Sequence, residues 1–165
     1  MKRLSLIITA ALAAIGLAAV LATSGSAQQP GEQIIKLVER SGSDTEGFVD
    51  NPPRGNRRTM RLSAGDFSTT STPLYDETNT ARRGTLHIVC LATRGGTIER
   101  ATFHCTGTIV LREGSLGLNF GGRFGEDTVV AVTGGTGAYE GRTGSATSKE
   151  RPGGKLSDDT IHLVP

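Results

Sequence analysis

The chain has no tryptophan, and only two tyrosines and five phenylalanines among its 165 residues. So thin an aromatic set argues against a large polyaromatic ligand held between rings and favours an aliphatic one. Histidines are limited to His87, His104 and His162. No Ser/His/Asp arrangement is visible, and the Gly-x-Ser-x-Gly turn of many hydrolases is absent. Lysine is missing from the glycine-rich stretch VTGGTGAYEGRTG, residues 132–144. That removes the phosphate-binding loop that ends in Gly-Lys-Ser/Thr. The dinucleotide pattern also fails, because Glu140 stands where its last glycine belongs, and a carboxylate there repels a diphosphate. No nucleotide, metal or other cofactor is expected. The glycines read instead as bends between strands, with Tyr139 as a plug over one end.

Past residue 27 no window holds a helical period. Residues 1–27 begin with Lys2 and Arg3, run through LSLIITAALAAIGLAAVLA and end in TSGSA. This is the layout of a secretory signal peptide cut after Ala27. An uncleaved membrane anchor is the alternative, since a span needs about 20 apolar residues. The segment carries two basic residues and no acid, so the remainder holds sixteen of each sign. A neutral domain gives no reason to expect a nucleic-acid partner. The organisation expected is a signal peptide over 1–27, a leader over 28–33 and one domain over 34–165, outside the cell.

What remains is a series of short β-prone runs split by glycines: 34–38, 66–72, 85–93, 102–112, 115–120, 128–133, 145–149 and 160–164. Residues 41–61 read as loop around Asn51-Pro52-Pro53, and Pro73 reads as an interruption. Strands spaced this way imply an all-β sandwich or barrel. In 85–93, Leu86, Ile88, Cys90 and Ala92 share a face; in 102–112, Phe103, Cys105, Ile109 and Leu111 do. A hairpin with Cys90 opposite Cys105 puts both cysteines on the apolar side, within disulfide reach. In an exported chain an even count reads as a disulfide, with two buried thiols as the alternative. The same pairing sets His104 against Leu91 and leaves His87 about 13 Å away at about 3.4 Å per residue. Such a pair cannot share a metal.

Several blocks together resemble one family. AVTGGTGAYEGRTGSAT, SAGDFSTTSTPLYDE (residues 63–77), RRGTLHIVCLATR and FHCTGTIVLREGSLGLNFGGRF follow, in order, motifs of the allene oxide cyclase-like barrels, relatives of plant dirigent proteins. The resemblance covers residues 34–164. It implies an eight-stranded antiparallel β-barrel, wide enough to hold one small apolar ligand. Plant allene oxide cyclases use a first-strand Glu, and a water held partly by Asn, to steer ring closure of a fatty-acid epoxide. The resemblance places Lys36 or Val38 at the Glu and one Asn, Thr72 at another Asn, and Cys90 at a pocket Cys. The polar set of the plant enzymes is thus mostly missing, and the Arg/Asp pocket of dirigent proteins is not recognisable.

The expectation is a secreted barrel that binds a small apolar molecule and steers its cyclisation or isomerisation by shape. A non-catalytic binding or structural module is the alternative. Candidate ligand-binding residues at the interior or rim are Asp66, Thr72, Tyr75, Leu86, Ile88, Cys90, Phe103 and Ile109. Leu111 and Val130 or Ala131 extend the interior. Asp66 also reads as a turn residue, Tyr75 as an end plug, and Arg57, Arg58, Arg82 and Arg83 as solvated rim charge. Self-association through the outward Thr/Val/His side of 85–93 is expected from the family.

Overall fold

A computed structural model describes residues 31–53, 61–123 and 129–165. The expected signal peptide, residues 28–30 of the leader, Arg57, Arg58 and Phe124 lie outside the described residues.

Alternation of apolar and polar residues makes each run a half-buried strand. The strands are β1 (Gln33–Arg40), β2 (Thr45–Val49), β3 (Arg61–Leu62), β4 (Phe67–Tyr75), β5 (Arg82–Arg94) and β6 (Gly96–Thr97). They continue as β7 (Thr102–Leu111), β8 (Gly114–Arg123), β9 (Val130–Gly135), β10 (Thr143–Glu150) and β11 (Leu156–Val164). One antiparallel sheet runs β1-β11-β10-β9-β8-β7-β5-β4-β2. A further pairing of β1 with β4 closes eight of those strands into a barrel. Closure leaves β2 outside the eight, paired with residues 67–71 of β4. β3 and β6 form a separate two-stranded sheet.

Two expectations are corrected here. Residues 41–61 are not all loop, because β2 lies within them. Pro73 does not interrupt its strand either; it pairs with Thr85 inside β4. On the other edge of β4, β2 reaches Ser71 and β1 begins at Leu74. Pro73 falls between these partners, where a residue without an N–H breaks no ladder bond on that side.

The inward face carries the core: Leu37, Leu74, Leu86, Ile109, Leu116, Leu118, Ile161 and Leu163 are all buried. Cys90 and Cys105 sit directly opposite each other, and a disulfide joins them with their Cα atoms 4.1 Å apart. Closing so short a loop stabilises by about 3 kcal/mol in the chain-entropy picture. Leu91 pairs with His104 on the outer face, and Val130, rather than Ala131, belongs with the core.

The glycine-rich stretch leaves β9, forms a 3₁₀ turn over Gly137–Tyr139 and enters β10. Tyr139 is 4% exposed and packs with the core, so it plugs this end of the barrel. Gly137 has φ 62°, and a Cβ on it would lie 2.5 Å from the Glu113 carbonyl oxygen. A Cβ on Gly135 would lie 2.6 Å from that of Tyr139. Glycine therefore serves here for close approach of backbone to backbone and to the plug.

Candidate functional site

Inside the barrel lies a half-open chamber of about 560 Å³. Its wall is mainly apolar, with Leu86, Ile88, Ile109, Leu118, Phe120 and Ile161 contributing. One side is different. There Glu39, Asp159 and Ser148 line the chamber.

The strand registers bring these three together. Glu39 follows Ile35 and Leu37 along the inner face of β1, and Asp159 precedes Ile161 and Leu163 along that of β11. Leu37 pairs with Asp159, and Glu39 with Ser157, which makes Glu39 and Asp159 diagonal neighbours on the inner face. Ser148 of β10 lies directly opposite Asp159. The Ser148 and Glu39 side chains thus both neighbour Asp159 on the inner face.

Burial raises the Glu39 pKa to about 8, and repulsion from the Asp159 and Asp44 carboxylates adds to the effect. Asp159 is also raised by burial, but its hydrogen bonds from Ser148 and Glu39 favour its ionised form. The pair therefore holds one proton at neutral pH. Glu39 carries it as a donor to the Asp159 carboxylate, as expected when two carboxyls share a poorly solvated site. Such a couple offers a bound molecule an acid and a base side by side.

The expected site residues divide into three groups. Leu86, Ile88 and Ile109 line the inner chamber. Cys90, Phe103 and Asp66 line a second chamber of about 570 Å³ toward the mouth. Thr72 and Tyr75 line neither. Thr72 is buried in the wall between those chambers' strands, paired with Leu86. Tyr75 pairs with Val38, and the Arg40 guanidinium lies 3.5 Å above its ring. Asp66 is 1% exposed, and its two oxygens accept the backbone N–H groups of Asn51 and Ser63, each at 2.8 Å. It clamps a loop, as a turn residue does.

Lys36 and Val38 are not where the first-strand acid belongs. Both point away from the lumen, and Lys36 forms an ion pair with Glu77 at 2.7 Å. Glu39, one residue from Val38, faces inward. The alternation of QIIKLVER already puts Ile35, Leu37 and Glu39 on one face. In LSDDTIHLV the same rule separates Asp159, facing in, from Asp158, which pairs with Arg151 outside.

No protein-family model and no curated protein matches the chain by sequence. Solved structures do. A pyocyanin demethylase superposes with TM-score 0.62 at 20% identity, covering 80% of this chain and 100% of its own. The dirigent protein PsPTS1, a pterocarpan synthase, gives 0.56 at 14% identity over 82% and 95%. The Diels-Alderase AbmU from Streptomyces koyangensis gives 0.54 at 15% identity over 80% and 67%. The chain has the allene oxide cyclase/dirigent-like barrel fold. At these identities the likeness concerns architecture, and the chemistry of this dirigent-like barrel is argued from its own chamber.

The carboxyl pair has a consequence for stability. Folded Glu39 keeps its proton up to a pH of about 8, whereas its ordinary value is 4.5. Between those values the folded state binds more protons than the unfolded chain, so stability declines as pH rises. Asp76 and Asp158 are held below their ordinary values by hydrogen bonds and by Arg151, respectively, and titrate below this window. Urea unfolding of the wild type is expected to lose stability steadily from pH 5 to about 9, and Glu39→Gln to flatten that decline. Parallel profiles for the two proteins would contradict the assignment.

Proposed function

We propose that this barrel is an exported protein that binds one small, largely apolar molecule in the inner chamber and steers its cyclisation or isomerisation. The single observation behind this reading is the Glu39–Asp159 pair in an otherwise apolar chamber of about 560 Å³. The volume lies within the range of about 300–1,000 Å³ usual for ligand pockets. Glu39 donates its proton to an oxygen or unsaturated carbon of the bound molecule, and Asp159 accepts one back. The walls hold the chain of the molecule close to its reactive shape, which lowers the barrier without a further group. Cyclase and dirigent barrels among the structural neighbours support this reading, as does a lumen left open rather than filled by Leu, Ile and Phe. A purely structural module has no use for that chamber.

Export rests on the layout of residues 1–27, and cleavage is expected after Ala27. Intact mass of the protein recovered from the medium of its producing cells should give an N-terminus at Gln28. Native mass spectrometry of the same material should find a small apolar molecule bound. Ala146→Phe, which fills the chamber, should expel that molecule; Glu39→Gln should keep it but no longer convert it to its isomer, as chromatography of the released molecule reads. An empty wild-type barrel, or conversion by Glu39→Gln at the wild-type rate, would sink the reading.

We also propose that copies associate through the outer face of β4, β5, β7 and β8. Residues 67–73, 85–93, 104–110 and 115–121 contain no Asp, Glu, Lys or Arg. Phe67, Val89, Leu91 and Val110 are exposed there. A wide face without charge suits a second uncharged face, and this chain presents one. Light scattering should find a multimer that Val89→Asp converts to monomer; a monomeric wild type would contradict it.

A further inference from the structure

The elements outside the eight-stranded barrel have a common location. β2 supplies Glu46 and Phe48 to the outer chamber, β3 supplies Arg61 and Leu62, and the turn after β6 supplies Ile98. Closure of the barrel requires none of them. Phe48, Leu62, Ile98 and Phe103 are only partly buried, so their apolar surface faces the cavity instead of packing away. The assembly is nonetheless fixed. Asp66 ties Asn51 to Ser63 through its side chain, and its backbone exchanges bonds with the end of β5: Ala92 N–H to the Asp66 carbonyl at 2.8 Å and Gly65 N–H to the Ala92 carbonyl at 2.9 Å.

The outer chamber shares no lining residue with the inner one. Along the inner face of β5, Leu86 and Ile88 belong to the inner chamber, and Cys90 and Ala92 to the outer. Cys105 lies opposite both Cys90 and Phe120, the latter an inner-chamber residue. The Cys90–Cys105 bridge therefore stands at the boundary and ties β5 to β7 there.

We propose that the outer chamber is a second, independent binding site for a compact, uncharged aromatic or alicyclic molecule that carries a hydroxyl or carbonyl group. Phe48 and Phe103 offer ring faces, and the disulfide offers a polarisable surface between them. Ser68 and Thr70 of β4 add hydroxyl-bearing side chains to the same lining. Arg61 and Glu46 stand on it with opposite charge, so neither a cation nor an anion is favoured outright, and a neutral ligand is selected. The site's volume of about 570 Å³ suits a one- or two-ring molecule.

The absence of tryptophan makes the test direct, because any introduced indole is a unique reporter. Phe48→Trp places one in the outer chamber and Phe120→Trp one in the inner. The probe is para-bromophenol at neutral pH, where it is uncharged and quenches tryptophan only at close range. Trp fluorescence of the Phe48→Trp protein should fall along a saturable curve. Adding Ala146→Phe, which fills the inner chamber, should leave its midpoint unchanged. Adding Ser68→Leu should raise the midpoint by about tenfold, since it removes a hydroxyl partner and fills part of the cavity. Native mass spectra should show two probe molecules on the wild type and one on Ala146→Phe. Linear, unsaturable quenching of the Phe48→Trp protein overturns the proposal, and so does a midpoint that moves with Ala146→Phe. Quenching that saturates in Phe48→Trp but not in Phe120→Trp would count against the inner-chamber reading while leaving this one standing.

Discussion

The short contact between β1 and β4 turns an open, twisted sheet into a barrel. It consists of Val38 against Tyr75 and Glu39 against Leu74. Arg40 secures it from outside. Its guanidinium covers the Tyr75 ring, and it donates to the side-chain and backbone oxygens of Asn79 at 2.8 and 2.9 Å. That one side chain thus holds the end of β1 to the end of β4 and to the turn that follows. Closure joins the β1 edge to the part of the β4 edge that β2 leaves free, which shortens the edge open to other chains. It also half-buries the carboxyl groups on the inner surface, and the electrostatics of the chamber depend on that burial.

Within a poorly solvated lumen, a carboxyl group keeps its proton unless something favours the ion. Glu39 has little to favour it, with Asp159 and Asp44 as its charged neighbours. Asp159 has the hydroxyl of Ser148 and the proton of Glu39. Two acids of nearly equal intrinsic strength are thereby given opposite roles by position alone. A carboxyl that stays neutral at physiological pH can act as a general acid toward a bound molecule. If the barrel opened, both groups would ionise and the distinction would vanish.

Much of the architecture was legible in the sequence, because strand alternation and glycine punctuation are local signals. The pairing of Cys90 with Cys105 followed from one hairpin, and Tyr139 from its place in a glycine-rich bend. β2, β3 and β6 were harder to see. TEGFV is polar and glycine-containing, and the other two strands are two residues long, so only their partners make them strands. The chamber's apolar wall was also readable, in Leu86, Ile88 and Ile109. The carboxyl pair was not, although the inward phase of Glu39 was present in QIIKLVER. The family resemblance points to Lys36 and Val38, whereas alternation along β1 puts Glu39 on the inner face. Asp159 is a different case. Its significance comes from a partner 120 residues away in the chain, and that proximity exists only after the barrel closes.

Glu39 sits half-buried beside Asp159 inside the closed barrel. The most direct measurement is the side-chain carboxyl carbon shift of Glu39, followed by NMR across pH in selectively labelled protein. The account predicts a midpoint at about 8, moving down toward the ordinary range when Asp159→Asn removes the neighbouring charge. A midpoint near the ordinary 4.5 in the wild type would mean that water reaches Glu39 freely, and the account would be wrong.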